Sequence, residues 1–374
     1  MIDSFRKKFR SVLRTISMTT LALWNINVFA YHHTFTFDFD RSSPPSNDFV
    51  IYGGSDIDKS RYTGLVCGSE TDPMNGACDT SPGDRVSPPV PGMTRIKLKF
   101  TEQRSGATAI VDFNAYREYK SDQSSQQCTS DGMKTKFNIM GDCNTDLGDT
   151  KYYLQMADTV PALPYGGIWK ASLLLHQYKV TPSGNKWMQW DTLNLVIKMT
   201  DNKNMQMYLP NLSGSKPSVD LRLVANPFAT PEATESGDAT IESCLYDGYN
   251  SNSKRFTLTV TNPDTSSKGF FVTADNILHG TSESSKIDYE VSAANPGDPS
   301  STEIPFSSGA PRDFTISPGD QIRPVVLPGI NGTVICVPWT LHLHTPAFKQ
   351  KDQQPGRYNG TLQVSFSPST DQNP

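Results

Sequence analysis

The residues that could do chemistry are few, and their spacing argues against most of it. Asp56-Ile57-Asp58-Lys59-Ser60 begins like a calcium-binding loop. Such a loop needs glycine at its sixth position for a sharp turn, and Arg61 stands there instead. No acidic residue closes it at the twelfth position. His342 and His344 lie two apart, so on a strand they share a face, but a metal site needs a third ligand. A solvent-facing strand is the better reading, with Trp339, Leu341 and Leu343 on its other side. The sequence contains no nucleophile elbow, no zinc-protease helix signature and no glycine-rich phosphate loop. Its scattered carboxylates define no acid–base pair. The chain is therefore expected to bind rather than catalyse, with no cofactor and no metal.

The cysteines carry a clearer message. They are Cys67, Cys78, Cys128, Cys143, Cys244 and Cys336. None falls in the tight C-x-x-C spacing of a zinc site. An even count behind an export signal favours disulfides. The simplest pairing joins 67 to 78, 128 to 143 and 244 to 336, while many other pairings remain open on sequence alone.

The export signal is read over residues 1–30. Arg6, Lys7, Lys8, Arg10 and Arg14 make a cationic start, Ile16 to Phe29 a short apolar stretch, and Val28-Phe29-Ala30 supplies small residues at the positions a signal peptidase needs. Ser17, Thr19, Thr20, Asn25 and Asn27 make the stretch too short and polar to span a bilayer. The full chain carries a net charge of −4. Residues 1–30 hold five basic groups and one acidic group, so the remainder has 29 Lys and Arg against 37 Asp and Glu, or −8. No basic tract suited to nucleic acid remains.

The elements that must position any binding surface are strands. Phe35, Phe37 and Phe39 alternate with polar residues. So do Ile96, Leu98 and Phe100; Leu193, Leu195, Ile197 and Met199; Val219, Leu221 and Leu223; Phe256, Leu258 and Val260; and Leu362, Val364 and Phe366. Period-2 alternation marks half-buried strands. Clusters of Pro, Gly, Ser and Asn separate them as turns. The expected class is all-β, of sandwich or barrel type. The domains are expected at 31–212 and 218–374, joined by a short linker at 213–217. This divides the cysteines four and two. Gly356 to Phe366 reads as one strand close to the end of the chain. An apolar edge there needs a cover.

Several segments together resemble a known family. They are Asn75-Gly76-Ala77-Cys78-Asp79-Thr80-Ser81, Phe100-Thr101-Glu102-Gln103-Arg104-Ser105, Leu163-Pro164-Tyr165-Gly166-Gly167-Ile168-Trp169, Cys244-Leu245-Tyr246-Asp247-Gly248-Tyr249 and Gly356–Pro368. The chain resembles the minor tip subunits of alternate chaperone–usher fimbriae, the colonisation factor antigen I tip adhesin and cable pilus initiator family. The resemblance implies two immunoglobulin-like β-sandwich domains in tandem, an adhesin domain and then a pilin domain that lacks its last strand. It implies the cysteine pairing given above. It implies export through the periplasm to the fimbrial tip. The partners implied are a periplasmic fimbrial chaperone, an outer-membrane usher, a major pilin subunit that donates a strand, and a host cell-surface glycan or protein receptor. The implied function is receptor binding by the first domain and docking into the pilus by the second. The alternative is a structural minor pilin that initiates assembly without binding a host.

The resemblance also implies site residues. Receptor-contacting arginines of the relatives fall near Arg61 and at Lys179 and Val180, and Arg104 is retained in its motif. Lys179 keeps one cation but lacks the planar fork with which arginine grips a carboxylate. The edge that meets the chaperone and the next pilin is expected at Tyr358, Leu362, Val364 and Phe366.

Overall fold

The computed structural model describes residues 31–53, 62–83, 85–86, 90–121, 132–141, 148–156, 162–212, 214, 216–229, 232–263, 269–275 and 283–369. The expected leader, Arg61, Cys128 and Cys143 lie outside them. Among the described residues there is no α-helix; the regular elements are strands and short 3-10 turns, including Asn202–Asn204 and Gln350–Asp352.

The first unit is built from β1 (His32–Asp40), β2 (Asp48–Tyr52), β3 (Thr63–Cys67), β4 (Arg85–Val86), β5 (Thr94–Glu102), β6 (Thr108–Ser121), β7 (Met140–Gly141), β8 (Gly148–Gln155), β9 (Gly167–Thr181) and β10 (Gly184–Thr200). One sheet runs β1-β10-β9-β5-β6-β8-β2, with β3 also beside β9, while β4 and β7 pair separately. β1 runs parallel to β10, His32 opposite Thr192 and Asp40 opposite Thr200. Alternation sets the faces. In β5, Ile96, Leu98 and Phe100 are fully buried while Arg95 and Lys97 are exposed. The two end strands meet across the core: Phe35 and Phe37 pack edge-on against Phe49, with ring centroids 5.0 and 4.7 Å apart, and Tyr31 packs on Tyr52 at 5.1 Å. The sheet thus folds over on itself into a sandwich.

The second unit contains β11 (Gln206–Tyr208), β12 (Val224–Asn226), β13 (Thr234–Tyr246), β14 (Arg255–Thr261), β15 (Phe270–Ala274), β16 (Lys286–Ala293), β17 (Ile304–Pro305), β18 (Pro311–Thr315), β19 (Arg323–Val326), β20 (Thr333–Lys349), β21 (Tyr358–Asn359) and β22 (Gln363–Ser369). The larger sheet runs β11-β13-β20-β16-β15-β21, with β12, β17 and β19 as short additions; the smaller runs β18-β14-β22. Between them lie Phe256, Leu258, Val260, Phe314, Val337 and Trp339.

Two expectations are corrected here. The alternation at Val219, Leu221 and Leu223 predicts a strand, yet residues 217–223 form no ladder and β12 is only Val224–Asn226. Arg222 takes a left-handed φ of 53°, which interrupts an extended run. Gly356 to Phe366 is not one strand but two. β21 pairs with β15 in the larger sheet and β22 with β14 in the smaller, so the chain crosses the sandwich between Asn359 and Gln363. Gly360 fits this crossing closely, since a Cβ there would lie 3.0 Å from the Phe271 carbonyl oxygen.

The two units share a continuous core. Cys244, Tyr246, Leu327, Val334 and Cys336 of the second pack into the cluster that holds Tyr165, Trp169 and Met199 of the first. Gly166 is needed at this junction, because a Cβ there would fall 2.0 Å from the Gly248 carbonyl oxygen. Cys67–Cys78 and Cys244–Cys336 are disulfides. Replacing both Cys244 and Cys336 by alanine opens a bridge across 92 residues. It is expected to cost about 2–5 kcal/mol in urea unfolding, and an unchanged midpoint would show that the bridge contributes nothing.

Candidate functional site

The tip of the β9–β10 hairpin carries the most distinctive surface of the first unit. β9 and β10 pair regularly from Gly167 opposite Met199 to His176 opposite Trp190. The register then shifts, and Trp187 stands opposite Tyr178. Trp187 and Trp190 are three apart, so a regular strand would point them to opposite faces. The bulge turns both to one side. His176 is stacked between them, its ring centroid 4.2 Å from Trp187 and 4.1 Å from Trp190, with interplanar angles of 16° in both cases. Burial holds the His176 pKa below the ordinary histidine value, so the neutral ring occupies the stack near neutral pH. Yet both indoles stay open: Trp187 is 46% exposed and Trp190 42%, with Met188 at 43% beside them. Beneath lies a small buried cluster of Val66, Met140 and Tyr178.

Lys179 adjoins this surface but lies on the opposite face of β9, since it is one residue on from Tyr178. Its strand partners are Thr63 of β3 and Lys186 of β10, so two lysines stand side by side. Arg61 lies outside the described residues. Arg104 is elsewhere. It sits in the turn after β5, where its backbone N–H donates to the Glu102 carboxylate at 3.0 Å and its side chain is half-buried. The end of β5 pairs with β9 at Lys170, opposite Thr101. Nine strand residues separate Lys170 from Lys179, roughly 30 Å. The structure therefore does not bring Arg104 and Lys179 into one site; Arg104 belongs to the junction.

Sequence reading missed the stack. Its signal was the W-x-x-W of Trp187-Met188-Gln189-Trp190, which breaks the alternation that starts cleanly at Asp191.

The second unit presents an open edge. β22 hydrogen-bonds along one side to β14, Gln363 opposite Thr261 through Ser369 opposite Arg255. Its other side has no strand partner among the described residues. Leu362, Val364 and Phe366 alternate as half-buried side chains packed on the core. Phe366 meets Phe256 edge-on at 5.7 Å. Val219 and Leu221 flank the same core, also half-buried, on a segment without a ladder. Tyr358 is not on this edge. It lies in β21, and its hydroxyl donates to the Gln354 carbonyl at 2.7 Å.

Two tandem sandwiches, the second leaving β22 without a strand partner on one side among the described residues, define an all-β protein of immunoglobulin-like fold. The family models for the first and second domains of CfaE, the E subunit of CFA/I fimbriae, match residues 26–202 and 205–370. The chain belongs to that family of fimbrial adhesins, whose members are adhesive and structural rather than enzymatic. The CFA/I fimbrial E subunit of Escherichia coli is 28% identical over 329 residues, covering 86% of this chain and 84% of the relative. The crystal structure of CfaE, described as the adhesive subunit of CFA/I fimbria of enterotoxigenic E. coli, superposes with a TM-score of 0.70 at 24% identity, covering 92% of this chain and 94% of that one. A structure described as a chaperone–tip adhesin complex matches with a TM-score of 0.58 at 22% identity, covering 91% and 97%.

Changing His176 to Ala removes both ring contacts and is expected to cost about 1–2 kcal/mol. It also leaves the indoles wetter, so tryptophan emission should shift to the red. An unshifted spectrum would show that the stack does not shape this surface.

Proposed function

We propose that this chain is a tip subunit that binds a host-surface receptor through its first unit and joins the fimbria by accepting a donor strand along β22. The observation that carries the docking half is the open edge of β22, with half-buried Leu362, Val364 and Phe366 beneath it. A strand added there would satisfy the unpaired backbone groups, and alternate side chains would fill the spaces between these three. A periplasmic chaperone would fill the edge first, an outer-membrane usher would receive the complex, and a major pilin subunit would then replace the chaperone's strand. The chaperone part draws on the relative solved with one.

The receptor half rests on the exposed Trp187–His176–Trp190 stack, with Lys179 and Lys186 paired on the opposite face of the same hairpin. Aromatic side chains with little rotamer freedom are the usual anchors of binding surfaces. The division of labour follows the sheets: the receptor-binding unit ends near Asp201, and the docking unit begins at β11, which pairs with β13. On this reading the break falls N-terminal to the linker expected at 213–217.

Adding a synthetic peptide from the N-terminus of the major subunit to the purified full chain is expected to raise its melting temperature by several degrees. The rise should vanish in Val364→Asp. No rise with the correct peptide would sink the strand-acceptor reading. For the other half, Trp187→Ala and Trp190→Ala are each expected to lower binding to host cells at least tenfold while the donor-peptide response is kept. Undiminished binding by both variants would remove the stack from the receptor face.

A further inference from the structure

We propose that removal of residues 1–30 turns the Tyr31 nitrogen into an α-ammonium that pairs with the buried Asp191 carboxylate, so that leader removal itself fastens β1 into the first sheet. The proposal uses the leader reading but neither the receptor nor the donor strand, and it stands or falls apart from both.

Asp191 is fully buried at the point where β10 turns its apolar face inward. One carboxylate oxygen accepts from the Gln189 amide at 2.7 Å and from the Tyr31 backbone nitrogen at 3.2 Å. The other accepts from the Gln177 amide at 3.0 Å. Every one of these donors is neutral while Tyr31 remains in a peptide bond. Burial pushes the Asp191 pKa up, and the surrounding hydrogen bonds oppose it without cancelling it. The neighbouring Tyr52 hydroxyl feels the same charge: burial, followed by Asp191, drives its pKa well above the ordinary phenol value. Among the described residues, the donors that face this buried carboxylate are neutral. A buried carboxylate in that position is costly unless it is paired.

Tyr31 is well placed to supply the missing charge. Its carbonyl oxygen accepts from the Thr192 N–H at 2.8 Å. Its ring packs on Tyr52 at 5.1 Å and stacks with His33 at 5.8 Å. The nitrogen aimed at Asp191 is thus held by contacts on its own residue. Independently, the sequence puts small residues at Val28 and Ala30, the positions a leader peptidase reads, so the bond it would cut is the one on the Tyr31 nitrogen. Cleavage one residue earlier would keep a neutral amide N–H at Oδ1, and one residue later would remove that donor. The cut exchanges one N–H for three and adds a full positive charge 3.2 Å from Oδ1. That strengthens the hydrogen bond from the start of β1 to the interior of β10.

The test begins with the exported full chain, whose intact mass is expected to place Tyr31 first. Two further full chains are then made behind a leader of defined cleavage, one starting at Tyr31 and one with a single alanine before it. The added alanine is expected to lower the first melting transition by about 5 °C. At pH 7 the α-amine of the Tyr31 form should acylate at least tenfold more slowly than that of the extended form, since an ion-paired ammonium is held above the ordinary α-amine pKa. In the Asp191→Asn background both differences should disappear. If that variant does not fold, the comparison of the two N-termini still decides. Equal melting and equal acylation of those two chains, or a first residue other than Tyr31, overturns the proposal.

Discussion

Glu102 gives up water at the end of β5 and takes its donors from three separate segments. The turn after β5 supplies the backbone N–H groups of Arg104 and Ser105 and the Ser105 hydroxyl; β9 supplies the Ile168 N–H; the second unit supplies the Asn250 and Asn252 amides. An ionised group buried this deeply is tolerated only when its lone pairs are filled. The units therefore cannot part without stranding it. Asn250 passes the constraint on: it adopts a left-handed φ of 54°, and its side-chain oxygen accepts the Ile335 N–H at 2.7 Å, one residue from Cys336. The loop that presents it is in turn tied by Asp247, which accepts the N–H groups of Tyr249, Ser251 and Ser253. Carboxylate, loop and disulfide form one connected junction, and the surfaces at either end of the molecule are oriented by it.

The strand content was legible in the sequence because a half-buried sheet writes its geometry directly as period-2 alternation. Even Glu102 is visible this way. It continues the inward series Ile96, Leu98, Phe100, so a carboxylate at the next inward position had to be buried and satisfied. What alternation does not carry is pairing. Val219 to Leu223 alternates as well as any true strand, but Arg222 bends it out of the extended region. Tyr358 and Leu362 have the right spacing for one strand, but the chain between them passes from sheet to sheet. The Trp187–His176–Trp190 stack was hidden because it depends on a bulge, which is a property of two strands compared residue by residue. The approach to the second unit shows a related limit: Asn211 to Pro217 has the polar, Gly- and Ser-containing look of a linker, whereas β11, just before it, already hydrogen-bonds to the second sheet.

β9 connects the two functional regions mechanically. Its first residue, Gly167, lies against Glu102, and its far end carries Lys179 and the ring of His176. A fifteen-residue strand paired almost throughout to β10 is stiff along its length, so the exposed indoles are held at a fixed place relative to the junction rather than on a free loop. The docking edge is the opposite kind of surface. Among the described residues β22 is held from one side only, and its apolar residues are incompletely covered.

The parallel pairing of β1 with β10 also sets an order of events. β1 is the first described strand, and its partner residues lie 160 positions further along the chain. Closing so large a loop carries an entropic cost that no local contact repays. A nascent chain must therefore carry Phe35 and Phe37 without their strand until Leu193 to Met199 exists. The antiparallel β9–β10 hairpin closes locally and can form the template first. Direction of synthesis and direction of folding run opposite to each other in this unit, and the strand made earliest is the last that can be seated.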